Sequence, residues 1–248
     1  MTLSPFEFER YDRQIRISGF GVEGQIKLKN SRVAVVGIGG LGCAAATYLV
    51  AAGVGKIILI DKEKFELSNL NRQILGYQQD LGRLKVEVAK AKLEAFNPEV
   101  EIEAVPIELS EENVEDVIGD VDVVVDCLDN WETRFLINDY CVLKDIPLVH
   151  AAVSELYGQI TTIIPKKSPC LKCIFYKIPT TQAEAIPILG AVPAALASLE
   201  VVETIKLLTG IGEPLIGRML FLDFRRMIFD TIQLSKRSDC PTCSVKLK

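Results

Sequence analysis

The segment RVAVVGIGGLGCAAATYLVAAGVGKIILID, residues 32–61, decides the fold. Arg32-Val33-Ala34-Val35-Val36 is short, β-branched and followed by glycine, the pattern of a strand buried on both faces. Gly37-Ile38-Gly39-Gly40-Leu41-Gly42 then turns the backbone sharply. Residues 41–52 are alanine-rich and apolar at helical spacing, and Gly53 and Gly55 supply the stop. Lys56-Ile57-Ile58-Leu59-Ile60 is a second buried strand ending on Asp61. This is a β-turn-α-β nucleotide-binding unit. The glycines admit phosphate to the backbone, the helix N-terminus faces the anion, and the acid reaches a ribose hydroxyl. NAD, FAD and ATP all fit such a unit, so the choice falls to the rest of the chain.

Further β-α alternation follows. Residues 65–73 are polar and irregular, a loop. Residues 82–96 predict a lysine-rich amphipathic helix closed by Asn97-Pro98, and 100–105 a strand. Residues 111–118 predict a helix capped by Ser110 and ended by Gly119. Residues 121–127 form another buried strand, followed by Leu128-Asp129-Asn130, a helix over 131–144 and a strand over 147–152. Three more strands, 158–164, 217–223 and 227–234, lack intervening helices of the same kind, apart from an apolar helix over 193–208. That helix belongs in the core or at a subunit interface. The fold class is α/β: a Rossmann-like, doubly wound, mostly parallel sheet with an antiparallel C-terminal extension. One domain spans 1–248, with an arm (1–30), a nucleotide-binding half (31–155) and a second half (156–248).

Composition narrows the function. The 248 residues are 49% hydrophobic and 25% charged, an ordinary globular balance. A net charge of −5 speaks against nucleic acid and anionic membranes as main partners. The longest apolar run, 186–199, is broken by Pro187, Gly190 and Pro193, and residues 1–13 lack a signal pattern, so the chain is expected to be soluble and cytoplasmic. Of seven cysteines, Cys43, Cys127 and Cys141 sit in apolar contexts and read as small buried hydrophobes. The other four form two C-x-x-C hooks, Cys170/Cys173 and Cys240/Cys243, which fit one closed tetrahedral Zn²⁺ site.

Charge on the carboxyl edge of the sheet favours ATP over a dinucleotide. A dinucleotide pyrophosphate needs little beyond a helix N-terminus, whereas triphosphate chemistry needs cations and a metal. Arg72 lies in the loop past Asp61, and Lys85 at the start of the next helix. Asp126 and Asp129 end a later strand on the same edge, placed for Mg²⁺. His150, the only histidine, reads as structural.

Taken together, Tyr11-Asp12-Arg13-Gln14-Ile15, the glycine turn, Asp61, Ser68-Asn69-Leu70-Asn71-Arg72-Gln73, Lys85, Asp126-Cys127-Leu128-Asp129-Asn130 and the four paired cysteines resemble the ubiquitin-activating-type adenylyltransferases. The likeness is to the MoeB/ThiF/HesA branch and covers nearly the whole chain. It implies that Gly37, Gly39, Gly40, Gly42 and Asp61 hold ATP, with Glu63, Gln73 and Asn130 completing the nucleotide set. Asn69, Arg72 and Lys85 would contact phosphates, Asp129 would serve Mg²⁺, and Arg13 would enter the neighbouring subunit's site in a homodimer. The implied reaction is adenylation of the C-terminal glycine carboxylate of a ubiquitin-fold sulfur carrier protein ending in Gly-Gly, as in molybdopterin or thiamine biosynthesis. The second half would bind the carrier. Members that link covalently to the carrier place a cysteine after the first hook. Residues 174–189 hold none, with Thr180 and Thr181 the nearest hydroxyls, so no covalent adduct is expected. The alternatives are adenylation of another carboxylate, on a modified tRNA base or a peptide, a catalytically silent scaffold subunit, and a nicotinamide dehydrogenase.

Overall fold

The computed structural model describes residues 2–176 and 187–244. An arm of three helices, α1 (Pro5–Arg10), α2 (Asp12–Ile15) and α3 (Gly21–Asn30), precedes the sheet. The alternating part follows: β1 (Arg32–Val36), α4 (Gly40–Ala52), β2 (Lys56–Ile60), α5 (Lys85–Phe96), β3 (Glu101–Val105), α6 (Val114–Ile118), β4 (Val123–Asp126), α7 (Trp131–Lys144) and β5 (Leu148–Ser154). The remainder comprises β6 (Tyr157–Ile163), α8 (Leu171–Ile174), α9 (Ala191–Thr209), β7 (Arg218–Asp223) and β8 (Ile228–Gln233).

The strands form one sheet in the order β3-β2-β1-β4-β5-β6-β7-β8. The first five are parallel, and β6, β7 and β8 add antiparallel. The chain leaves β1 toward β2 but leaves β4 in the opposite direction, toward β5. With right-handed crossovers that reversal places α4 and α7 on opposite faces. Alternate strand residues therefore feed two cores. Val33, Val35, Ile57, Leu59, Val123 and Val125 pack with α4, α5 and α9. Ala34, Val36, Ile58, Ile60 and Val124 pack with α6, α7 and α8. Strands β1, β2 and β4 are buried on both faces, which their unbroken β-branched runs required, whereas β8 is exposed throughout as the sheet edge.

Two helix starts differ from the sequence reading, and the structure settles where a third helix packs. Helix α5 starts at Lys85, because Gly82 takes a left-handed φ of 81° and Leu84 forms a β-bridge with Lys64. Helix α6 starts after Asn113, whose side chain accepts from Ser110 N and donates to Glu108 O, so Ser110 is not its cap. Helix α9 is part of the core: it packs on α4 and β5 and buries Val192, Leu196, Ala197 and Val201.

The junction of β1 and α4 tolerates no side chain at two positions. A Cβ on Gly42 would lie 1.8 Å from Gly37 O, and one on Gly37 2.7 Å from Cys127 O at the end of β4. Gly42→Ala should therefore force the turn open and lower unfolding stability by about 2 kcal/mol or more in urea titration. An unchanged midpoint would contradict this packing.

Candidate nucleotide site

The turn after β1 and the end of β4 flank the point where strand order reverses, the crevice in which open α/β sheets hold ligands. Asp61, at the end of β2, is already engaged. Its Oδ2 accepts from Ile38 N at 2.7 Å and its Oδ1 from Glu63 N at 2.8 Å, and the remaining lone pairs leave capacity for a ribose hydroxyl. Glu63 in turn holds Lys85, with Nζ 2.6 Å from Oε2. The Lys85 side chain is buried although Glu63 is exposed, so the ammonium is kept inside the site by a carboxylate that faces water.

The loop carrying Asn69, Arg72 and Gln73 is fixed by its own turns, Arg72 N and Gln73 N both donating to Asn69 O. The start of α9 backs it: a Cβ on Gly190 would lie 2.2 Å from Asn71 O. A Cβ on Gly40 would stand 3.3 Å from the Arg72 stem, which places Arg72 beside the first turn of α4. Its guanidinium rests on Ser68 O (2.9 Å) and Asn71 Oδ1 (3.0 Å). Gln73 is buried, and its Oε1 has no partner among the described residues. By contrast with Gly37 and Gly42, a Cβ on Gly39 would meet nothing closer than Gln73 Nε2 at 4.0 Å, so this glycine keeps open space above the turn. Open space over Gly39 with the Gln73 amide nitrogen facing it, the Arg72 stem beside Gly40, and the Lys85 ammonium held through Glu63 and Asp61 suit a phosphate-bearing ligand.

Asp126 is not available for Mg²⁺, contrary to the sequence expectation. It is fully buried, with Oδ2 2.6 Å from His150 Nδ1 and 3.5 Å from Arg134 Nε, and Oδ1 accepting from Leu128 N at 3.1 Å. Burial holds the His150 pKa down against the pull of Asp126, so the ring is neutral. Arg134 also donates to Leu128 O and Ala151 O. This network fixes the loop that presents Asp129, which is exposed. Asn130 caps α7, its Oδ1 accepting from Thr133 N at 2.9 Å. Glu200, fully buried on α9, completes the network below: its Oε2 lies 3.7 Å from Cys127 Sγ, and burial, reinforced by Asp126, raises its pKa well above normal. The sequence reading missed Arg134 and Glu200. An acid inside an otherwise apolar helix was the available signal for Glu200.

The isolated thiols are inert. Burial pushes Cys43 up to about 12 and also raises Cys127 and Cys141, so none is a thiolate near neutrality. Thr180 and Thr181 lie outside the described residues. The paired cysteines do converge: all four Sγ atoms lie within 4.8 Å of one another, with Cys170–Cys240 at 3.6 Å and Cys173–Cys243 at 3.3 Å. A tetrahedral zinc with bonds of about 2.3 Å needs sulfurs about 3.8 Å apart, so the set fits one such ion.

The ThiF family profile matches residues 11–242. The chain belongs to the ThiF family. Among curated members it is 40% identical to the SAMP-activating enzyme E1 of Haloferax volcanii, with 98% of this chain and 91% of that one covered. It is also 40% identical to the sulfur carrier protein adenylyltransferase of Thermus thermophilus, over 96% of this chain and 91% of that one. The solved structure of E. coli MccB with ATP superposes on this ThiF-family chain with a TM-score of 0.85 at 26% identity, covering 94% of this chain and 73% of that one. No helix among the described residues is long and apolar enough to cross a membrane.

Glu200 gives the network a pH signature. Its folded pKa is raised, so the folded state retains a proton that the unfolded state releases above about pH 4.5, and its contribution to stability falls as pH rises toward the folded value. Relative to wild type, Glu200→Gln should therefore gain up to about 1.4 kcal/mol of unfolding stability per pH unit above about pH 5.5. Parallel stability curves for the two proteins would place the Glu200 pKa in the ordinary range.

Proposed function

We propose that this chain is an ATP-dependent adenylyltransferase that activates the C-terminal glycine carboxylate of a small ubiquitin-fold sulfur carrier as an acyl-adenylate. The observation that carries the reading is the convergence of Asp61, Arg72 and buried Lys85 around the glycine turn, because a dinucleotide site has no use for the two cations. A terminal carboxyl group has a pKa of about 3.3–3.7, so the substrate is already ionised and needs no general base. That agrees with the only histidine being neutral, buried and bonded to Asp126.

In this reading a carboxylate oxygen attacks the α-phosphorus of ATP, the carboxyl–phosphate bond forms, and the bond to the β-phosphate oxygen breaks. Asp61 orients the ribose. Arg72 and Lys85 neutralise charge on the phosphates, and Lys85 exchanges its Glu63 partner for a phosphate oxygen. Asn69 and Gln73 line the phosphate side. Asp129 would hold Mg²⁺, which supplies charge neutralisation for the departing pyrophosphate. The four paired cysteines would hold a structural Zn²⁺.

Arg13 would act across a homodimer. Tyr11, two residues before it, packs on Gly53 at the C-terminal end of α4, and its hydroxyl accepts from Asn97. Gln14 donates to Gln25 and Ala52 O from the same motif. Helix α4 has 13 residues. At 1.5 Å per residue, about 20 Å separates that end from the glycine turn. No arginine side chain spans this distance, which supports a contribution of the exposed Arg13 to a partner's site.

Carrier-dependent exchange of pyrophosphate into ATP tests the chemistry. Arg72→Ala and Lys85→Ala should each slow exchange on the order of a hundredfold or more. Asp61→Ala should mainly weaken ATP binding, because the ribose contact is equal in ground and transition states. ATP binding without exchange for any carrier ending in Gly-Gly would leave a silent scaffold. Mixing Arg13→Ala with Lys85→Ala chains should restore activity in a quarter to about half of the mixed sites, and no recovery would place Arg13 outside a shared site.

A further inference from the structure

The two cysteine hooks lie about 70 residues apart in sequence, yet one helix holds both. Asn138 and Asp139 are neighbours on α7, and each reaches between the cysteines of a hook rather than toward a sulfur. Asn138 is fully buried, and its Oδ1 accepts from Leu171 N, inside the first hook, at 2.8 Å. One oxygen of Asp139 takes the Lys172 ammonium, also between Cys170 and Cys173. The other accepts from Thr242 Oγ1, between Cys240 and Cys243, at 2.8 Å, and from Asn138 Nδ2 at 3.0 Å. A single carboxylate thus bridges both hooks.

We infer that Asn138 and Asp139 form an outer clamp that assembles the sulfur site and sets its metal affinity. The inference rests on reading the four thiols as a zinc site. Four thiolates brought together repel one another, and closing so long a loop costs entropy. The clamp reduces both costs by fixing non-ligand atoms of each hook on a rigid helix, so that less ordering remains for the metal to drive. Hydrogen-bonded groups behind metal ligands typically contribute ten- to about a hundredfold in affinity. The same helix starts at the Asn130 cap beside Asp129, which makes α7 the shared support of the sulfur cluster and the nucleotide-site loop.

Competition of the purified full chain with a chromogenic zinc chelator tests the clamp. Asp139→Ala should lower apparent zinc affinity about tenfold or more, and Thr242→Val should lower it by less. Lys144→Ala, which removes a different ion pair of α7, should match wild type. Trp131, the only tryptophan, packs at 4.6 Å on Phe175 just past the first hook, so its emission should shift in Asp139→Ala as the hook loosens. If Asp139→Ala does not fold, Thr242→Val, which deletes one hydrogen bond, decides the matter. Wild-type zinc affinity in the variants would overturn the clamp while leaving the zinc site standing. A wild-type chain that takes up no zinc would remove the zinc reading itself.

Discussion

The contact of Gly42 with Gly37 O, and of Gly37 with Cys127 O, is the constraint on which the rest depends. It presses the start of α4 onto the end of β1 and the end of β4 onto both. Strand order can then reverse there without a gap, and the first turn of α4, whose leading amides have no partner within the helix, starts at the crevice between β1 and β4. Three charged groups of the proposed site are placed by reference to that turn: Asp61 through Ile38 N, Arg72 through Gly40, and Lys85 through Glu63 and Asp61.

Below the turn, polar groups that look catalytic are support. Asp126, His150, Arg134 and Glu200 are all buried, and they join β4, β5, α7 and α9 behind the loop that carries Asp129. A buried ion pair contributes little net stability, and breaking one is costly, so such a cluster is better understood as holding one loop geometry. Helix α7 carries that loop at one end and the sulfur hooks along its length. The arm works differently: Tyr11 and Gln14 anchor it at the far end of α4, leaving Arg13 exposed.

The sheet was legible because residues 32–36, 56–60 and 123–126 are nearly continuous β-branched runs, which only strands buried on both faces require. The hooks were legible because thiolate spacing is a chemical requirement. Asp126 was misread because its burial depends on His150, 24 residues later, and on Arg134, neither of which local sequence associates with it. The start of α6 failed for a local reason: the Asn113 side chain accepts from Ser110 N and competes with the cap. A pairing across the fold decided the first of these, and a local side-chain-to-backbone bond the second.

Intact-mass spectrometry of a carrier ending in Gly-Gly, after brief incubation with this chain, ATP and Mg²⁺, tests the central claim most directly. The account predicts a carrier heavier by one AMP moiety, lost on hydrolysis and absent when the terminal glycine is removed. ATP turned over to ADP and phosphate, with the carrier mass unchanged, would contradict it.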